Sequence, residues 1–178
     1  FVFSAYGAFR LTRTLTGSIR AAWVAGILFG FIPYRFNTMA QLVYLNSVWL
    51  PLLFEAIYLF VQERTWKRAI WLGSAFLFCG LSSITWLLFS VIPFALIGAI
   101  LLLRHQLWKD RLFWWRSGVA LAGAFLLLLP FTLPYYIVSR MYGFIRRIDD
   151  VKAHSASPVH WLVAEGRSKL WRGMGSGI

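Results

Sequence analysis

The sequence is poor in acids, in charge of either sign and in cysteine, and each shortage excludes something. Asp and Glu number 6 among 178 residues, and all charged residues together make up 13%. A soluble domain carries about 25% charged residues, so the polar surface of such a domain is missing. Cys79 is the single cysteine, which rules out an intrachain disulfide. It sits in an apolar run, where a free thiol behaves as a small hydrophobe. There is no Gly-rich phosphate loop, no G-x-S-x-G elbow and no metal-ligand spacing. His154 and His160 are six apart, wrong for one helix face, and His105 falls in a basic loop. All three read as surface residues, and neither a metal nor a cofactor is expected. The chain also lacks an initiator Met and a signal peptide. With Phe1 opening in apolar sequence, it reads as an internal segment of a longer protein or an ordered part of one.

What is abundant is apolar: 60% of residues are hydrophobic and 19% aromatic. They form long runs rather than alternating, which is the pattern of membrane-spanning helices, and many aromatics flank the runs as an interfacial belt would. The net charge of +12, from 18 bases against 6 acids, would suggest nucleic acid in a soluble protein. Here the bases cluster between apolar runs, so they read as a topology signal facing lipid headgroups, with no nucleic acid as partner.

Residues 1–11 read as the trailing end of a helix, followed by a polar connection holding Arg10, Arg13 and Arg20. Residues 21–33 make a short apolar run. Residues 34–47 are too polar for a span and too apolar for a free loop; an interfacial or re-entrant helix fits, with Phe36, Met39, Leu42 and Val43 on one face. A span over 48–62 precedes a basic loop with Arg64, Lys67 and Arg68. The uncharged stretch 69–103 would measure about 50 Å as one helix, too long for a hydrocarbon core of ~30 Å. Two helices with a turn at Gly80–Ser83 are expected instead. A loop with Lys109, Asp110, Arg111 and Arg116 leads to a last span over about 117–138, which Pro130 and Pro134 should kink or unwind.

The expected fold is therefore all-α: an integral membrane helical bundle of about five to six transmembrane helices over residues 1–139, with one interfacial or re-entrant helix. Residues 140–178 form a short basic extramembrane tail, the start of a soluble domain. In that tail, Ser157 and Pro158 signal a helix start, and Trp161, Leu170 and Trp171 suggest contact with the membrane surface. Bases concentrate on alternate connections, one set containing Arg10, Arg13 and Arg20, then Arg64, Lys67 and Arg68, then Arg104, Lys109, Arg111 and Arg116. The other set holds only Arg35. The positive-inside bias puts the first set in the cytoplasm and, by parity, the tail outside it.

Two residues stand out for chemistry. Glu55 lies mid-span, where a carboxyl is expensive and by default functional. It reads either as a proton or substrate contact lining a cavity, or as a group satisfied by a polar neighbour such as Ser74. Arg35, beside Tyr34, offers a planar fork for a phosphate at a membrane mouth, or else anchors to lipid headgroups.

The run P-Y-R-F-N-T-M-A-Q-L-V-Y-L-N-S-V-W-L-P-L at 33–52, T-W-K-R-A-I-W-L-G at 65–73 and G-L-S-S at 80–83, followed by Trp86, Leu87 and Phe89, resembles bacterial polytopic membrane glycosyltransferases of the GT-C structural class. The likeness in order and spacing covers roughly residues 19–150, and residues 143–155 are similar to the start of that class's periplasmic portion. The resemblance implies a bacterial inner-membrane enzyme taking sugar from a polyprenyl-phosphate donor, with Arg35, Tyr34 and Gln41 near the donor. Gln41 stands where the class has a histidine, and the class's catalytic acid lies in an earlier outer loop. No catalytic residue can thus be assigned in this chain.

Readings of other classes stay open beside the enzyme. A non-catalytic subunit of a respiratory or photosynthetic membrane complex would use its Trp and Phe to pack on partner helices, lipids or pigments. A transporter half is suggested only by Glu55 and the short helices, since no internal repeat is visible.

Overall fold

A computed structural model of the chain describes residues 1–37, 46–143 and Ile148. The described residues are helical, with no strand among them. In chain order the elements are α1 (Val2–Thr16), α2 (Ile19–Gly30), α3 (Pro33–Asn37), α4 (Trp49–Glu63), α5 (Trp66–Ser82), α6 (Ile84–Arg104), a 3-10 turn (Leu107–Lys109) and α7 (Arg111–Met141). By its contacts the chain divides into two units, Phe1–Tyr135 and Tyr136–Ile178; the packing below is that of the first. Residues 38–45, and with them most of the expected interfacial helix, lie outside the described residues, as does the helix expected from Ser157.

Local chemistry explains the helix ends. Gly17 closes α1 in the left-handed region, φ 68°, and its N–H bonds to the Arg13 carbonyl, a conformation glycine adopts without steric cost. Ser18 then caps α2, its hydroxyl oxygen accepting from the Ala21 N–H at 3.3 Å. Thr65 caps α5 in the same way. Ser83, in extended backbone, ends α5 and caps α6 by accepting from the Trp86 N–H at 3.3 Å. The uncharged stretch 69–103 is thus divided between two helices meeting at Ser83, as its length required. Asp110 caps α7, its Oδ1 accepting from Leu112 N–H at 2.9 Å and Phe113 N–H at 3.2 Å.

Three expectations are corrected. The first helix does not stop at Leu11 but runs to Thr16, so Arg10 is helical rather than part of a connection. The last helix starts at Arg111, not near Ser117, because the Asp110 cap satisfies its first N–H groups. It also continues through Pro130 and Pro134 without the unwinding that was one of the two expected outcomes there. Each proline removes one N–H from a ladder that the flanking turns continue; the Thr132 hydroxyl meanwhile bonds back to the Leu129 carbonyl at 3.1 Å.

Among the described residues, two helices are long and apolar enough to cross a membrane: α6, with a mean hydropathy of 2.6, and α7, at 1.9. Their lengths, about 31 and 46 Å, match or exceed a ~30 Å hydrocarbon core. The core helix of a soluble protein is mostly buried, but only 17% of the apolar window of α6 and 11% of that of α7 is covered. Leu88, Phe89, Ile92, Leu126 and Leu127 all point outward. α4 and α5, about 22 and 25 Å long, fall short of that thickness by themselves.

The core centres on α4. Leu53, Ala56, Ile57, Phe60 and Val61 meet Ala69, Leu72, Ala75 and Cys79 of α5, Leu87 of α6, and Phe113 and Leu128 of α7. Helices approach closely where small residues face each other, the usual device where lipid supplies no hydrophobic drive. A Cβ on Gly7 of α1 would lie 2.7 Å from the Val48 carbonyl oxygen beside α4.

These contacts also fix which connections share an end. Gly7 meets Val48 and Pro51, while Arg10 and Thr14 meet Glu55. α1 and α4 therefore run parallel. α5 returns antiparallel, with Phe78 stacked on Trp49 at 4.7 Å between centroids. At the far end of α4, Arg64 pairs with Asp110 at 2.9 Å, and Arg116 donates to the Arg64 carbonyl. The connections α1–α2, α4–α5 and α6–α7, with most of the bases of the described residues on them or in the helix turns beside them, accordingly lie toward one end. Arg35 and the Ser83 turn lie toward the other.

Candidate functional site

Two arginines mark two polar clusters. The first is inside the bundle. Glu55, on the buried face of α4, is 2% exposed. Its Oε1 accepts from the Thr14 hydroxyl at 2.9 Å and from Arg10 Nη2 at 3.2 Å. Its Oε2 lies 3.0 Å from the same Nη2. The Arg10 guanidinium in turn sits over the Trp71 ring of α5, 5.3 Å from its centroid. Helical spacing makes this possible: Arg10 and Thr14 are four apart and share one face of α1. The result is a charge-compensated acid in which both oxygens face a base. Glu55 thereby ties α1 to α4, Oε1 through two hydrogen bonds and Oε2 through the ion pair alone. Ser74, the neighbour expected to satisfy Glu55, is not its partner. Ser74 faces α7 instead, beside Val119 and Gly123.

The second cluster is at the opposite end. Arg35, from the short helix α3, is 5% exposed. Its Nη2 donates to the Ser47 hydroxyl just ahead of α4, and the guanidinium lies over the Phe29 ring of α2 at 4.9 Å. Burial lowers its pKa from the ordinary arginine value, although an arginine stays charged in proteins. Phe29 is also a wall of an apolar groove of about 470 Å³ between α1, α2 and α4, lined by Ala8, Leu11, Leu28, Ile32, Leu50 and Phe54 among others. Arg35 does not itself line the groove but shares Phe29 with it. Of the other residues expected near a donor, Tyr34 lies in α3 and Gln41 lies outside the described residues.

A second cavity, of about 240 Å³, lies between α4, α6 and α7 and is almost wholly apolar, with Ser117 its polar member. The Ser117 hydroxyl is occupied by the Phe113 carbonyl at 2.8 Å. Among the described residues, no group of three or more His, Cys, Asp or Glu could hold a metal ion.

The basic end carries ion pairs. Arg68 grips Glu63 through two bonds, at 2.8 and 2.9 Å. The Arg64 hydrogen bond and the Phe113 N–H hold the Asp110 carboxyl below its ordinary pKa. Sequence reasoning had found the bases but not their pairing, because Arg64 and Asp110 are 46 positions apart. It likewise missed Arg10 as the partner of Glu55. The available signal was the i, i+4 pair of Arg10 and Thr14 on the first apolar segment, which becomes visible only if that segment continues past Leu11. Compared with models of protein families, with curated proteins and with solved structures, the chain matches none.

Proposed function

We propose that this chain is part of a polytopic protein of the bacterial cytoplasmic membrane that binds a polyprenyl-phosphate-linked sugar, in the manner of the GT-C glycosyltransferases its sequence resembles. In this reading α1, α2, α4, α5, α6 and α7 supply five or six spans. The shorter ones are accommodated by snorkelling ends and local thinning. The basic connections face the cytoplasm, while Arg35 and the residues after α7 face the other side. The observation that carries the reading is the placement of the Arg35 guanidinium on Phe29, at the edge of an apolar groove of about 470 Å³. A cation beside an apolar groove is what a phosphate on a long hydrocarbon chain requires. The catalytic acid would come from outside this chain, with Arg35 compensating the donor phosphate.

The test is donor binding by the full-length protein in proteoliposomes. Arg35→Ala should weaken binding of a polyprenyl-phosphate sugar, and Arg35→Lys should restore only part of it, since the ammonium lacks the fork. Ser47→Ala removes the internal hydrogen bond but keeps the charge, so it separates binding from folding. Unchanged donor binding in both Arg35 variants would sink the reading. The outward apolar faces of α6 and α7 would then favour the second reading, a non-catalytic subunit packed against partner helices and lipid. That reading is tested by crosslinking from Leu88 or Phe89 to a co-purifying subunit.

A further inference from the structure

The groove between α5 and α7 has a different character from the two apolar cavities described above. It holds about 300 Å³ and is lined by Trp66, Ile70, Ser74 and Leu77 on one side and by Val119 and Gly123 on the other. Its floor is backbone: a Cβ on Gly73 would lie 2.7 Å from the Ala120 carbonyl oxygen. Its rim is open, with Ile70, Val119 and Leu127 exposed. From Trp66 to Leu77 it climbs about 16 Å along α5, roughly half of a ~30 Å hydrocarbon core. That is the depth of one leaflet.

The mouth of this groove is at the basic end. Arg116 lies over the Trp66 ring at 5.6 Å and is held there by its bond to the Arg64 carbonyl. Lys67 stands seven residues before Ser74, on the same stripe of α5, and is exposed. The two acids nearby are already engaged, Glu63 by Arg68 and Asp110 by Arg64. Among the described residues, neither Lys67 nor Arg116 forms an ion pair.

We infer that the α5–α7 groove is a binding site for an anionic glycerophospholipid of the leaflet at the basic end, with one acyl chain against Gly73 and Gly123 and the phosphate between Lys67 and Arg116. Three features select this occupant. The groove is one leaflet deep, its walls are apolar along that depth, and two bases outside the ion pairs of the described residues stand where a headgroup would be. Arg116 also has the fork geometry that suits phosphate oxygens. The inference rests on the membrane reading above, but not on donor binding at Arg35, which lies at the opposite end.

The test uses the full chain, expressed in a bacterial membrane, extracted in mild detergent and examined by native mass spectrometry after titration with phosphatidylglycerol or phosphatidylcholine. Phosphatidylglycerol should be retained at least tenfold better. Lys67→Gln with Arg116→Gln should abolish that preference, at about tenfold or more in affinity for two bases near a membrane surface. Gly123→Leu fills the groove, and a Cβ there meets nothing within 4 Å, so this variant should fold yet lose the retained lipid. Equal retention of the two lipids, or unchanged retention in Gly123→Leu, would overturn the site. A dimer that Gly123→Leu dissociates would overturn it in favour of a second copy of the chain in the groove. Release of the chain from membranes by alkaline carbonate would instead overturn the membrane reading, and the site with it.

Discussion

Arg10 Nη2 and Glu55 Oε2 lie 3.0 Å apart, although 45 positions separate the two residues in the chain. Their pairing joins α1 to the central helix α4, and the Arg10–Trp71 contact extends it to α5. It also gives the most conspicuous acid of the apolar sequence a partner on another helix.

That relationship gives the first prediction. Removing one partner of a buried pair strands the other charge, whereas removing both does not. Glu55→Leu and Arg10→Met should each destabilise the solubilised chain by about 1–3 kcal/mol, a range reduced because the Arg10 side chain is a third exposed. The double variant should recover part of the loss. Thermal unfolding of all four proteins measures the coupling, and strict additivity would show that the pair is energetically idle.

Glycines in this fold divide by what surrounds them. Gly7→Ala drives a Cβ to 2.7 Å from the Val48 carbonyl oxygen, a rigid neighbour, and should cost about 1–3 kcal/mol by forcing α1 from α4. Gly118→Ala on α7 meets nothing within 4 Å and should gain about 0.5–1 kcal/mol from helix propensity. Opposite shifts in melting temperature are expected, and equal shifts would contradict the α1–α4 contact.

Topology is checked with single cysteines in a Cys79→Ala background. Lys109→Cys, in the α6–α7 connection, should react with a membrane-impermeant maleimide only when the cytoplasmic face is open. Leu81→Cys, exposed near the Ser83 turn, should react from the outside in intact spheroplasts. Labelling of both from one side would mean that α6, the one long helix between the two positions, does not cross.

The basic end should be acid-sensitive. Hydrogen bonds from Arg64 and the Phe113 N–H depress the Asp110 pKa. A depressed folded-state pKa contributes stability above the unfolded value, about 3.9 for Asp, which is lost as pH falls through the folded value. Melting temperature should therefore drop on acidification below about pH 4, and Asp110→Asn should flatten that part of the profile. A profile identical in the variant would mean the α7 cap contributes nothing measurable.

Much of the architecture was legible in the residues because the relevant physics is local. Run length against bilayer thickness forced a break in 69–103, and Ser83, able to cap a new helix with its own hydroxyl, is where it falls. Apolar composition without alternation excluded a sheet, since isolated helices satisfy their own backbone. The alternation of basic and base-poor connections anticipated that the loops holding Arg64 and Asp110 would share one end while Arg35 stood at the other.

What the residues alone could not decide are the relations between distant segments. Nothing near Glu55 in sequence names Arg10 and Thr14 as its partners; that follows from α1 and α4 running parallel in contact, which small residues such as Gly7 permit. Nothing near Arg35 names Phe29 or Ser47, because cation–π and hydroxyl contacts depend on where three separate helices bring their ends. Composition and spacing determined the helices, their breaks and the charge asymmetry of the two ends. The packed bundle decided which charges are paired, which grooves stay open and which bases remain outside the ion pairs of the described residues, because burial and pairing exist only once helices touch.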